Sequence, residues 1–424
     1  MSETNETVTA ARVEDAARLL DGVAKVTPVQ PVDRLSSVAG VPVMVKREDL
    51  QRCRSFKMRG AYNKIARLSK QERERGVVCA SAGNHAQGVA LACAELGIDG
   101  TIYLPSSTPR QKRDRIESLG EGHVQMVFVH GTFDEAQTAA KADAAETGRI
   151  YVHPFDDPDV IAGQGSIAKE ISNQLGSDLG TVLIPVGGGG LLAGMAAWLK
   201  ANRPGVQVVG VEATGAASMA AALEAGEPTT LESIDGFVDG TAVRRAGDLA
   251  HMTIDSLVDQ VVAVPEGAVS KEMLDLYHTD GIIAEPAGAL ASAAIAMAAA
   301  GELPELELKG TTVAIISGGN NDLSRYAEVQ ERSLVHQGLR HYFLVSFPQR
   351  PGALRDFLDQ ILGPDDDILY FEYTKKNSRE TGPALVGIDI HAREDLAGLR
   401  QRMAQSDLEI DELDPDSELL RFLI

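Results

Sequence analysis

Short apolar runs rich in β-branched residues recur along the chain, and several of them end directly in glycine clusters. The runs are Val43 to Val45, Val77 to Cys79, Thr101 to Leu104, Val124 to Val129, Thr181 to Val186, Val206 to Val211 and Thr312 to Ile316. Each has the length and side-chain type of a buried strand. Ala-rich stretches with helical spacing lie between most of them, for example Gln87 to Leu96, Phe133 to Thr147 and Gly288 to Ala300. Strands alternating with helices require parallel βαβ units with helices on both sheet faces. Ligands of such α/β folds collect beyond the carboxyl ends of the strands. The glycine clusters at those ends are therefore the first places to look for a site.

The pattern changes near Leu339. The segment 338–424 holds 8 of the 19 Phe, Tyr and Trp residues in 87 of 424 positions. That is a separate domain, set against a catalytic-sized unit of 1–337, within which a smaller subdomain of roughly 42–147 is inserted in a larger one. The C-terminal segment reads strand (Arg340 to Phe347), helix (Pro351 to Leu362), strand (Asp367 to Lys375), strand (Ala384 to His391), helix (Arg393 to Gln405) and strand (Leu419 to Ile424). This βαββαβ order is the ferredoxin-like arrangement. Lys375 to Pro383 reads as a polar hairpin loop, and Glu409 to Glu418 as a charged, solvated connection.

Charge and cysteine content narrow the partners. The net charge of −21 repels phosphate backbones and anionic lipid, so neither nucleic acid nor a membrane surface is expected. The longest apolar stretches, such as Ala289 to Ala300, fall short of the ~20 residues a spanning helix needs. Met1 to Ala10 is polar and acidic, without the layout of a signal or transit peptide, and a cytoplasmic protein is expected. Cys53, Cys79 and Cys93 fit no zinc spacing and no disulfide framework, and no metal is expected. Cys53 is the one thiol that could be exposed and redox-sensitive, a passive thiol being the plainer reading.

Four clusters can carry chemistry. In Ser55-Phe56-Lys57-Met58-Arg59-Gly60-Ala61, a lysine between apolar neighbours is partly desolvated, which favours the neutral amine and reaction with a carbonyl; taken alone, it also reads as a surface residue of a first helical turn. Ser81-Ala82-Gly83-Asn84-His85, between a strand and a helix, offers free N–H groups suited to a carboxylate, or simply a capped helix with a structural histidine. Pro185-Val186-Gly187-Gly188-Gly189-Gly190-Leu191 is harder to read as a plain turn. Four glycines cost backbone entropy, yet they let successive N–H groups close around one phosphate at a helix start. The run does not fit the nucleotide P-loop, and the dinucleotide pattern fails at Leu192. Ser317-Gly318-Gly319-Asn320-Asn321 puts a hydroxyl at a strand's carboxyl end, where a turn residue is as natural as a functional one.

In this order and spacing the four clusters resemble the fold type II pyridoxal-phosphate enzymes, over roughly Val26 to Glu328. The resemblance implies an α/β fold of two open parallel-sheet subdomains, related to the tryptophan synthase β chain, with pyridoxal 5'-phosphate as cofactor. It implies Lys57 and Ser317 as catalytic residues: Lys57 is the Schiff-base lysine and Ser317 the partner of the pyridine nitrogen. Gly187, Gly188, Gly189, Gly190 and Leu191 become the phosphate cup, Asn84 the partner of the cofactor's phenolic oxygen, and Phe56 a neighbour of its ring. Ser81, Ala82, Gly83, Asn84 and His85 surround the substrate carboxylate. Within that family the chain is similar to the biosynthetic threonine dehydratases, which share the Lys57 and Asn84 stretches and Glu285-Pro286-Ala287-Gly288. Relatives that racemise serine carry a serine at the position of Ala82, which has no proton to give, so elimination is favoured over racemisation.

The C-terminal segment resembles ACT-like effector domains, with Arg350 and Gly352 of Arg350-Pro351-Gly352-Ala353-Leu354 at the first strand-to-helix turn. Relatives often carry two such units, and this chain has room for one. The resemblance implies L-threonine as substrate, 2-oxobutanoate and ammonia as products, isoleucine or valine as effector, and a homotetramer. A serine-eliminating or β-replacing enzyme of the same family and, more distantly, a catalytically idle amino-acid sensor are the alternatives.

Overall fold

The computed structural model describes residues 8–373 and 380–414, with 417 and 419. The first seven residues, most of the loop expected from Lys375, and all of the strand expected over Leu419 to Ile424 except Leu419 lie outside the described residues. The chain divides into two compact units, Met1–Asn321 and Asp322–Ile424; the composition change that suggests a boundary at 338 comes sixteen residues later. No helix among the described residues is long and apolar enough to cross a membrane, and none of their His, Cys, Asp and Glu side chains cluster as a metal site.

In the first unit the strands are β1 (Val29–Pro31), β2 (Val43–Arg47), β3 (Val77–Ala80), β4 (Gly100–Pro105), β5 (Val124–Val129), β6 (Ile150–Tyr151), β7 (Leu179–Pro185), β8 (Gln207–Ala213), β9 (Gln260–Val264) and β10 (Thr311–Ile316). The larger sheet runs β1-β2-β10-β7-β8-β9 and the smaller β5-β4-β3-β6. All pairings are parallel except β1 with β2. β3 is buried at every position and β7 at nearly every one, as strands covered on both faces must be. β2, expected at the edge of the smaller subdomain, instead pairs with β10 in the larger sheet. Its partner lies more than 260 residues downstream, so no local pattern discloses the pairing.

Close helix crossings hold the start of the helix Lys57–Ala66. A Cβ on Gly163 would stand 2.6 Å from the Arg59 carbonyl oxygen, and one on Gly88 2.9 Å from the Lys57 carbonyl carbon. Glycine is thus what lets the helices Pro158–Leu175 and Asn84–Leu96 press against the Lys57 helix at backbone distance. Beneath that crossing Arg59, fully buried, donates to Glu48 (2.8 Å, twice) and to Glu170 (2.6 and 3.1 Å), while Lys46 donates to Glu170 at 2.6 Å. Burial alone would lower the Arg59 guanidinium, but Glu48 and Glu170 reverse that and keep it charged. Burial likewise opposes ionisation of Glu48, and Arg59 overrides it. Such a cluster ties the elements together only while every partner is present.

The second unit contains β11 (Arg340–Pro348), β12 (Asp367–Tyr373), β13 (Thr381–Asp389) and β14 (Glu409–Glu412), in an antiparallel sheet ordered β12-β13-β11-β14. With the helices Ala353–Ile361 and Asp395–Gln405 this is the ferredoxin-like βαββαβ order. Phe343, Phe347, Phe357, Val386 and Leu399 form its core. The final strand differs from expectation: it is 409–412, inside the stretch read as a charged connection. Only Ile410 of that strand turns toward the core, and its acidic neighbours Glu409 and Asp411 face outward along a sheet edge. Acidic edge residues are how such an edge avoids pairing with another chain, and they also mask its alternation. Thr381 to Pro383, read as loop, begin β13 opposite Pro348 to Ser346.

Candidate active site

Three strand ends open at the same edge of the larger sheet. β2 and β10 run in register up to Arg47 opposite Ile316, and β7 lies parallel on the other side of β10. The segments that leave these three strands therefore meet: the chain leading to Lys57, Ser317, and the turn Gly187 to Gly190. Backbone contacts tighten the meeting. Ser55 bridges Gly318, and the Phe56 N–H donates to the Ser317 carbonyl at 3.1 Å. Lys57 is then the first residue of its helix. Its Nζ donates to the Pro154 carbonyl at 2.8 Å and lies 5.3 Å from the centre of the Phe56 ring. Burial pushes this amine down from 10.5 to about 8, against the opposing charge of Glu285.

The segment that receives Lys57 also shapes the glycine turn. The Phe155 ring fills the space a Cβ on Gly188 would need, and the Phe155 carbonyl oxygen would be 2.5 Å from a Cβ on Gly190. Gly189 has φ +93° and is the N-cap of the helix Gly190–Asn202, a conformation glycine adopts without strain. The N–H groups of Gly187, Gly188 and Gly189 find no acceptor among the described residues. Those of Gly190 and Leu191 belong to a first helical turn, which has no internal partner for them. Unpaired N–H groups converging at a helix start, in a turn where side chains do not fit, suit one phosphate.

From the smaller sheet, the end of β3 delivers Ser81 to Asn84 and the helix that starts at Asn84. The Ser81 N–H donates to the Tyr103 carbonyl at 3.0 Å and the Gly83 N–H to the Ser81 hydroxyl at 3.1 Å, which leaves the Ala82 and Asn84 N–H groups without an acceptor among the described residues, and Ser81, Ala82, Gly83 and Asn84 are all partly exposed. Asn84 Nδ2 donates to Glu285 Oε1 at 2.5 Å, and Asn84 Oδ1 accepts from Asn320 Nδ2 at 2.7 Å. Ser317 is 3% exposed, and its hydroxyl donates to the Ala287 carbonyl at 3.2 Å. Lys57, Phe56, Asn84, Ser317 and the glycine turn are thus brought together.

Two sequence expectations fare differently. The His85 side chain is buried, with Nε2 on the Val152 carbonyl at 2.8 Å. Burial, with Lys57 nearby, pushes its imidazole down to about 3. Its ring is a neutral structural group, and only its backbone belongs to the anion-facing turn. Cys53, the thiol that could be exposed, is fully buried, and it donates to the Ser55 carbonyl; burial raises it above the ordinary thiol value. Three contributors carry no role in the sequence reading: Pro154 and Phe155, which lie in a loop without glycine punctuation, and Glu285, whose Glu-Pro sequence looks like a helix start. The helix Pro286–Ala299 does start there, but the Glu285 side chain does not cap it. It turns to Asn84 instead.

In the second unit Arg350 and Gly352 line a cavity of about 370 Å³, walled by Phe347, Phe371 and Tyr373. Gly352 has φ +90° and precedes the helix Ala353–Ile361, and Arg350 pairs at 2.6 Å with Asp356.

Residues 20–318 match the family described as pyridoxal-phosphate dependent enzyme, and residues 331–423 the C-terminal regulatory domain of threonine dehydratase. The L-threonine dehydratase biosynthetic IlvA of Mycobacterium tuberculosis is 52% identical over 98% of this chain and 96% of its own. The corresponding protein of Corynebacterium glutamicum is 49% identical over 100% of this chain and 97% of its own. Among solved structures, the processed form of threonine deaminase isoform 2 from Solanum lycopersicum superposes with a TM-score of 0.71 at 40% identity, covering 78% of this chain and 96% of that one.

Proposed function

The chain belongs to the pyridoxal-phosphate dependent enzymes and carries the C-terminal regulatory domain of threonine dehydratase, and from that premise we infer that it is a biosynthetic L-threonine dehydratase. It converts L-threonine to 2-oxobutanoate and ammonia, the first step toward isoleucine. The observation that carries the reading is the single edge where a desolvated amine, a turn of unpaired N–H groups and a buried hydroxyl meet. Pyridoxal phosphate, when bound, supplies an aldehyde that takes up amines and a ring that draws electrons from the substrate α-carbon.

The protein's residues do the rest. The N–H groups of Gly187 to Leu191 hold the phosphate, Phe56 packs near the ring, Asn84 donates to the ring oxygen, and the Ser317 hydroxyl faces the ring nitrogen. A hydroxyl is too weak an acid to protonate that nitrogen, so Ser317 would leave the ring's electron withdrawal modest. The Ala82 and Asn84 amides, which have no acceptor among the described residues, hold the substrate carboxylate. Lys57 Nζ removes the α-proton; an amine pushed down to about 8 is neutral often enough near neutral pH to serve as base. Ala82 offers no proton to the α-carbon from the other face, so reprotonation there is not served and elimination prevails.

The second unit is the effector domain. Isoleucine, or valine, fits the cavity at Arg350 and Gly352, its aliphatic side chain against Phe347, Phe371 and Tyr373 and its carboxylate drawn to Arg350. Binding one arrangement of the enzyme better than the other shifts the population toward the less active one. The enzyme works in the cytoplasm as a homotetramer. The test is a keto-acid assay of the purified, yellow protein with threonine and with serine, each with and without isoleucine. Threonine should be preferred and isoleucine should inhibit. Turnover of serine alone would move the substrate, and indifference to isoleucine would remove the effector assignment.

A further inference from the structure

Asn84 is held by two side chains that the mechanism above leaves unused. Asn320 Nδ2 donates to the Cys53 carbonyl at 2.8 Å and to Asn84 Oδ1 at 2.7 Å. A carbonyl can only accept, so the nitrogen end of Asn320 is identified, and the oxygen end of Asn84 is fixed in turn. Asn84 Nδ2 therefore lies on the opposite side, where it donates one hydrogen to Glu285 Oε1 at 2.5 Å. Its second N–H has no acceptor among the described residues.

Glu285 is itself fixed. It is 4% exposed, and its backbone N–H donates to the Gly318 carbonyl at 3.1 Å. A side chain on Gly318 would collide with its carboxyl. Gly318 keeps room for this carboxyl next to the site.

We propose that Glu285, together with Asn320, is a positioning residue that sets the Asn84 amide so that its one free N–H faces the cofactor's ring oxygen. The inference rests on the assignment of Asn84 to that oxygen. Burial, and after it Asp239, pushes the Glu285 carboxyl up to about 7, while the Asn84 bond pulls the other way. Lys112 and Lys57 are the cations that act on or near it. A group so costly to bury is retained next to the site because it makes this bond.

The test is the release of pyridoxal phosphate from full-length holoenzyme on dilution, read by loss of the visible band. Asn84→Ala should weaken retention by about tenfold or more, and Glu285→Ala by about tenfold, the scale of one lost or misdirected hydrogen bond. The double variant should match Asn84→Ala alone, because a residue acting through Asn84 has nothing to act on once it is gone. Glu285→Gln, whose Oε1 accepts the same bond, should restore retention. If Glu285→Ala does not fold, Asn320→Asp replaces it: a carboxylate cannot donate to Asn84 Oδ1, and the same tenfold loss, absent in the Asn84→Ala background, is expected. An Asn84→Ala protein that holds its cofactor normally overturns the Asn84 assignment and this proposal with it. Additive losses in the double variant overturn the positioning role alone.

Discussion

The two units offer small molecules opposite kinds of site. The first uses backbone: unpaired amides of the Gly187 to Leu191 turn and of Ala82 and Asn84, set at strand ends above the ion cluster of buried Lys46, Glu48 and Arg59 with half-buried Glu170. The second uses side chains, with three aromatic walls and one arginine, beside a left-handed glycine in the cavity lining. Backbone sites depend on close packing and fail when a Cβ is added. Side-chain sites tolerate such changes and fail when a wall or a charge is removed.

Substitutions can break that comparison, and Lys57→Ala should have the largest effect. Losing the base lowers kcat by roughly 10⁴-fold, measured as 2-oxobutanoate formation, with the fold retained by circular dichroism. Lys57→Met sharpens the same point through stability. The folded-state amine sits at about 8 against 10.5 unfolded, so between those values the unfolded chain binds more protons and the native protein gains stability as pH rises. The cofactor-free Met variant should therefore be more stable than the parent at pH 7, and the difference should shrink by pH 10 in urea titrations.

Next comes Arg59→Met, which strands the buried Glu48 and leaves Glu170 to Lys46 alone, and should cost about 3–5 kcal/mol, visible as a lower urea midpoint. Gly188→Ala pushes against the Phe155 ring and should weaken cofactor retention by about a hundredfold, the scale of an overpacked site, with a smaller loss of global stability. Arg350→Ala has the smallest effect. It should raise the isoleucine concentration for half-inhibition about tenfold, as loss of one charged hydrogen bond does, while kcat without isoleucine stays as it was. A Gly188→Ala enzyme with normal cofactor affinity would break the contrast on one side, and an Arg350→Ala enzyme with normal inhibition on the other.

The contrast also explains what the sequence discloses. Backbone sites leave glycine behind: Gly187 to Gly190 after β7 and Gly318-Gly319 after β10 mark the strand ends, and Ser55 to Ala61 carries the residues that fit between two close helices. Long-range ionic and side-chain partners leave no such mark. Glu170 meets Arg59 across 111 positions and Asn84 meets Glu285 across 201, with nothing in either local pattern to pair them. His85 reads as available because its neighbours are polar, but burial on the Val152 carbonyl is set by the smaller sheet. β14 is hidden because one inward Ile410 among acids carries too little alternation, and β2 because its partner strand is remote.

The central claim is that Lys57 is the amine joined to the cofactor in an enzyme that eliminates from threonine. Borohydride reduction of the yellow full-length protein fixes the cofactor on the amine that holds it, and peptide mass mapping locates it. The label is expected on the peptide carrying Phe56-Lys57-Met58, with its yield falling when threonine is present during reduction and displaces the lysine. A label on any other lysine, or a Lys57 peptide that stays unmodified while the yellow band bleaches, would contradict it.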